Sequence, residues 1–102
     1  MPQERRRNER QKVVLEATWE SLSKRHHARV DDVSLSGCFV NTYGQVAVGE
    51  AIELNILRRS GEWLALTGHV ATYQHGVGFG LAFTELNYAK KRALQDLMAT
   101  GG

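Results

Sequence analysis

Period-two alternation recurs along most of this chain and gives way to a helical period only once. Val13, Leu15, Ala17 and Trp19 alternate with Glu16, Thr18 and Glu20, the pattern of a half-buried strand. The polar stretch Ser21 to His26 predicts a turn or loop. Residues 27–35 predict a second strand whose phase slips. Ala28 and Val30 share one face, Val33 and Leu35 the other, and an extra residue near Asp31-Asp32, as in a β-bulge, accounts for the slip. Gly37 interrupts the run and Cys38 to Thr42 resumes it, with Tyr43-Gly44-Gln45 as a turn. After Gly49, the residues Ile52, Leu54 and Ile56 share a face, and Arg58-Arg59-Ser60-Gly61 reads as a hairpin loop. Trp63 to Tyr73 predicts a longer strand with no clear phase, and His75-Gly76 turns the chain.

The last strand alternates large Val77, Phe79, Leu81 and Phe83 with small Gly78, Gly80, Ala82 and Thr84. The large side chains fill a core, and the small ones admit curvature and close approach. The helical period follows. Asn87 is a good N-cap, Ala89, Ala93 and Leu97 form an i,i+4 ladder with Leu94 and Met98 beside it, and Lys90, Lys91 and Arg92 lie opposite. The expectation is an all-β fold: a small six-stranded antiparallel barrel covered or plugged by one C-terminal α-helix at about 87–98.

With 102 residues, the chain fits one core and is too short to split into two. No apolar run approaches the length of a membrane span, and the arginine-rich start does not read as a signal peptide, so a cytoplasmic protein without membrane insertion is expected. A single cysteine, Cys38, rules out an internal disulfide and any cysteine-rich metal site. Charge is unevenly spread. Residues 1–12 carry five basic and two acidic side chains, a balance of +3, which leaves eight basic and nine acidic elsewhere, a balance of −1. The expected division is therefore a flexible arginine-rich arm over 1–12 and a barrel with its helix over 13–102. By charge alone, the arm reads equally as a solvated tail or as an anion clamp.

No phosphate-loop, nucleophile-elbow or paired-histidine zinc motif is present, so no catalytic residue and no metal ligand is expected. Cys38 follows a glycine in an apolar strand and reads as a buried structural thiol. His26 and His27 are adjacent, so their side chains diverge in a strand. Gly76 to Gly80 looks like a phosphate loop only superficially, because no helix follows it to supply amides and a dipole.

Two local patterns suit ligand chemistry. Arg6-Arg7-Asn8-Glu9-Arg10 is an RxxxR, preceded by Arg5. Guanidinium forks bind phosphate oxygens and the O6/N7 edge of guanine, and they stack on bases. Asp32-Val33-Ser34-Leu35-Ser36-Gly37 is a DxSxxG, in which Asp32 and Ser34 are expected on one strand face. A carboxylate accepts from a guanine N1–H and N2–H pair, with a serine hydroxyl beside it. Asp and Ser near a bulge also satisfy backbone amides, and Gly37 serves equally for a tight turn or a close backbone approach.

In this order and on this architecture the two patterns resemble the PilZ domain, a bacterial receptor module for cyclic di-GMP. That family has RxxxR in a flexible N-terminal segment, [D/N]xSxxG early in a six-stranded barrel, and a helix after the last strand. Arg6, Arg10, Asp32, Ser34 and Gly37 match position for position, and Gly76 to Phe83 resembles the closing strand. The resemblance covers almost the whole chain and implies a stand-alone, non-enzymatic receptor with cyclic di-GMP as ligand and no cofactor. It implies that Arg6 and Arg10 clamp guanines and phosphates, that the Asp32–Gly37 segment holds a guanine, and that Arg5 or Arg7 adds a contact. It also implies an unidentified protein effector, in control of motility, biofilm or exopolysaccharide, and a monomer or homodimer. The alternatives are a ligand-independent PilZ-like adaptor and a small barrel binding nucleic acid. DNA or RNA is not expected, because aromatic residues are only 8% and form no evident exposed cluster.

Overall fold

The computed structural model describes residues 11–22 and 24–100. Six strands appear in chain order: β1 (Gln11–Ser21), β2 (Lys24–Val33), β3 (Gly37–Asn41), β4 (Ala51–Leu57), β5 (Trp63–Gln74) and β6 (Gly78–Phe83), followed by α1 (Tyr88–Thr100). Every strand pair is antiparallel, and the strands close into a barrel in the order β1-β2-β3-β6-β5-β4. Closure comes from β4 returning to β1, where Ala17 faces Ile56 and Glu20 faces Glu53. Among the described residues no helix is long and apolar enough to cross a membrane.

The alternation read in the sequence is the division between barrel interior and surface. Val13, Leu15, Ala17 and Trp19 of β1 meet Ile52, Leu54 and Ile56 of β4 in the core. In β5 the phase is clearer than the sequence suggests. Leu64, Leu66, Gly68 and Val70 all point inward, and the pairing with β6 then shifts between Val70 and Thr72. That bulge, together with exposed Trp63 at the strand's start, blurs the pattern when the strand is read as one piece. The slip in β2 has the expected cause: Asp31 is the extra residue between Val30, paired with Val40, and Asp32, paired with Phe39.

Two expectations change at strand ends. The turn expected over Ser21 to His26 is shorter than that, because Ser21 already pairs with Lys24 and Arg25 and His26 lie in β2. Leu22 adopts φ 55° there, in the left-handed region. The polar residues sit in a strand because they have partners in it. Arg25 meets Glu20 at 2.6 Å, and His26 stacks on the buried Trp19 with ring centroids 4.1 Å apart. In β6, Phe79 and Leu81 are buried in the core and half-buried Phe83 packs against it. Val77 belongs to the turn before the strand and is exposed.

Helix α1 begins as expected. The Lys90 amide donates to Asn87 Oδ1 at 2.8 Å, capping the first turn. Ala93, Leu94 and Leu97 are buried in the barrel's own core, whereas Ala89 is exposed. Each buried leucine contributes about 2–3 kcal/mol, so the helix is held by burial more than by its own propensity.

Candidate functional site

The segment Asp32 to Gly37 joins β2 to β3 at one end of the barrel, and its geometry follows from two residues. Ser34 lies just past the end of β2 and is buried. Its hydroxyl accepts from the amides of Ser36 at 3.1 Å and Gly37 at 3.2 Å, and lies 3.0 Å from the Ser36 hydroxyl. The Ser34 amide donates to the Gly37 carbonyl at 2.8 Å. The loop is therefore tied to itself around one oxygen, as short polar side chains do when they replace a backbone partner. Asp32 and Ser34 do not share a strand face, as their spacing suggests, because the strand ends at Val33 between them.

Gly37 opens β3 beside β6. A Cβ at this position would stand 2.2 Å from the Leu81 carbonyl oxygen, so only glycine lets the two backbones meet here. Of the two roles the sequence leaves open for Gly37, the structure shows close approach. Gly78 has a similar place on β6, where a Cβ would lie 2.0 Å from the Val40 carbonyl oxygen.

Asp32 stands on the outer surface of β2. Its carboxylate is half-buried, with Oδ1 withdrawn from solvent. It pairs with Lys12 on one side and Phe39 on the other. Phe39 is invisible to sequence alternation, because Cys38, Phe39 and Val40 form one unbroken apolar run. Only the barrel shows that Cys38 and Val40 point inward and that Phe39 does not.

Arg5, Arg6, Arg7 and Arg10 lie outside the described residues. The first described residues, Gln11 and Lys12, pair with Val33 and Asp32 at the start of the β1–β2 ladder. An open groove of about 1170 Å³ lies on the outer face of β1, β2 and β3; its lining includes Asp31, Arg29, His27 and Tyr43 but none of residues 32–37.

A sequence profile described as the PilZ domain matches residues 4–100, from the arginine segment through the helix. The chain belongs to the PilZ domain family. Solved PilZ structures share its fold at low identity. The PilZ domain of YcgR from Escherichia coli, solved with c-di-GMP, matches with a TM-score of 0.79 at 13% identity, covering 95% of this chain and 91% of that one. The PilZ domain of CeSA from a cellulose-synthesizing bacterium matches at 0.70 and 16%, covering 90% and 96%. The Bacillus subtilis inhibitor of motility, MotI/DgrA, also matches at 0.70 and 16%, and there this PilZ domain spans 94% of its own length but 50% of the other chain. No curated protein sequence matches the chain.

Proposed function

We propose that this PilZ domain is a receptor for cyclic di-GMP that changes conformation on binding and passes the signal to a protein partner. The observation that supports the reading is the register at the start of β1, where Gln11 pairs with Val33 and Lys12 with Asp32, so β1 begins beside the DxSxxG segment. The RxxxR guanidiniums, the last of them twenty-two residues before Asp32 in sequence, then share one ligand with its carboxylate. In this reading Arg6 and Arg10 take the phosphates and the Hoogsteen edges of the guanines, with Arg5 or Arg7 adding a contact. Asp32 accepts from a guanine N1–H and N2–H, and Ser34 and Gly37 hold the loop in shape. Family membership and the c-di-GMP held by the YcgR domain support the choice of ligand.

The conformational step is the closing of the arginine segment over the ligand. Four arginines within six residues repel one another until an anion arrives. The closed segment then presents a surface that a partner reads. The segment before β1 forms the switching arm; Gln11 and Lys12, expected in the arm, are already paired in the barrel and belong to the platform.

Calorimetric titration with cyclic di-GMP, with GTP and cyclic di-AMP as controls, tests the ligand. Saturable heat with cyclic di-GMP alone, lost in a folded Arg10→Ala variant, is the expected result. No heat at any concentration would overturn the reading and leave a ligand-independent adaptor. Hydrogen exchange tests the switch: the amides of residues 4–10 should exchange more slowly with ligand bound, and equal rates count against it.

A further inference from the structure

Strand register places five residues side by side across the outside of the barrel. Lys12 stands beside Asp32, Asp32 beside Phe39, Phe39 beside Gly80, and Gly80 beside Thr72. They come from β1, β2, β3, β6 and β5, so the row crosses five strands at about 4.8 Å per step. Lys12, Asp32, Phe39 and Gly80 face outward, since Val13, Val33, Cys38, Val40, Phe79 and Leu81 beside them are buried, and Thr72 is itself exposed. Phe39 is the row's only ring. It is half-buried and does not join the apolar side chains packed against the core. It lies instead over the backbone of Gly78, where a Cβ would come within 3.0 Å of Phe39 Cε2. Beyond it, Gly80 has no side chain, and Thr72 leans over from the far side, its Oγ1 2.7 Å from where a Gly80 Cβ would be.

We propose that the Phe39 ring is the stacking platform for the guanine whose Watson–Crick edge reaches Asp32. The inference rests on the cyclic di-GMP reading and adds a residue to it that neither arginine nor DxSxxG pattern contains. A carboxylate alone orients a purine by its edge and leaves the ring face in water. An aromatic side chain one strand away, half-buried and on the same outer surface as the carboxylate, supplies the face. Covering a glycine is a purely structural use for the same ring, as aromatic side chains do elsewhere in sheets. That use accounts for the contact with Gly78, and a leucine of similar volume would serve it as well. Base stacking needs the ring.

The experiment is calorimetric titration of cyclic di-GMP into the full-length wild type and the Phe39→Tyr, Phe39→Leu and Phe39→Ala variants, with thermal melts alongside. Stacking predicts near wild-type affinity for Phe39→Tyr. It predicts a loss of about tenfold or more for Phe39→Ala and a clear loss for Phe39→Leu, even where Phe39→Leu melts like the wild type. In Phe39→Trp the introduced indole should change its emission saturably with ligand, at the calorimetric stoichiometry and against the wild-type background. A folded Phe39→Leu that binds as tightly as the wild type would overturn the platform alone. A wild type that does not bind would overturn the receptor reading and the platform with it.

Discussion

The Ser34 hydroxyl accepts the Gly37 amide at 3.2 Å, while the Ser34 amide donates to the Gly37 carbonyl at 2.8 Å. This reciprocal pair closes the loop that carries the DxSxxG pattern. It makes the serine a part of the barrel's construction before any ligand is considered. Ser34→Ala leaves the buried Gly37 amide and the part-buried Ser36 amide without this acceptor, which costs about 1–3 kcal/mol. The melting temperature should fall by about 5–15 °C, given the usual sensitivity of a domain this size. An unchanged melt would show that water replaces the hydroxyl freely.

Gly37 and Gly61 make a controlled comparison. Gly37 is held by space, with a Cβ position 2.2 Å from the Leu81 carbonyl oxygen, whereas Gly61 has φ 93° and nothing within 4 Å of its Cβ position. Gly61→Ala should cost only the left-handed backbone penalty, about 1–2 kcal/mol. Gly37→Ala must push β3 away from β6 and should cost more, or prevent folding. Equal costs in chemical denaturation would mean that the two strands yield easily.

Thr42 ties Trp19 down. Its hydroxyl oxygen accepts from Trp19 Nε1 at 3.1 Å and from the Gly44 amide at 3.3 Å, and it donates to the His27 carbonyl at 3.4 Å. Gly44 lies against the same indole, where a Cβ would be 2.4 Å from Trp19 Cζ2. Thr42→Val keeps the shape and strands the indole N–H, at a cost of about 1–3 kcal/mol. Trp19 emission should shift as well. A stability within about 0.5 kcal/mol of wild type, the scatter of ordinary surface changes, would contradict this.

Glu50 holds the loop between β3 and β4 against the end of β1. Its carboxylate accepts from the Ser21 hydroxyl and from the Ala47 amide, the latter at 2.9 Å. The Ser21 bond first, and the Ala47 amide second, hold the carboxyl below the usual glutamate range, against a smaller opposing effect of burial. The lowered folded value means that the contribution to stability is full above the unfolded glutamate range. It is lost as the pH falls through the folded value. Glu50→Gln should therefore melt lower than wild type near neutrality, and the gap should narrow in acid. A gap independent of pH would refute the role of the charge.

The strands, the bulge at Asp31, the capped helix and the motif residues were legible because each is written in a local period or a local turn chemistry. The β1–β2 turn was read too long because Arg25 and His26 look like loop residues until Glu20 and Trp19 are seen across from them. Val77 looked like core because alternation marks a face without marking where a strand begins. Ser34 was grouped with Asp32 by spacing alone, and the end of β2 at Val33 separates them. Phe39 gave no signal, since an apolar run hides which of its members turns outward.

The sequence by itself determined the class of fold, since period-two runs broken by glycine leave few alternatives to a small antiparallel barrel, and it carried the residue types that a guanine and a phosphate require. Only the tertiary structure decided which of those residues are neighbours. Pairing Gln11 with Val33 brings the start of β1 to the DxSxxG loop, and pairing Asp32 with Phe39 gives the carboxylate a ring beside it. Those pairings depend on register, and register is set by closure of the whole barrel around one core. A one-residue slip would turn every outward residue inward, so the buried set of every strand together selects the single arrangement in which these surface residues meet.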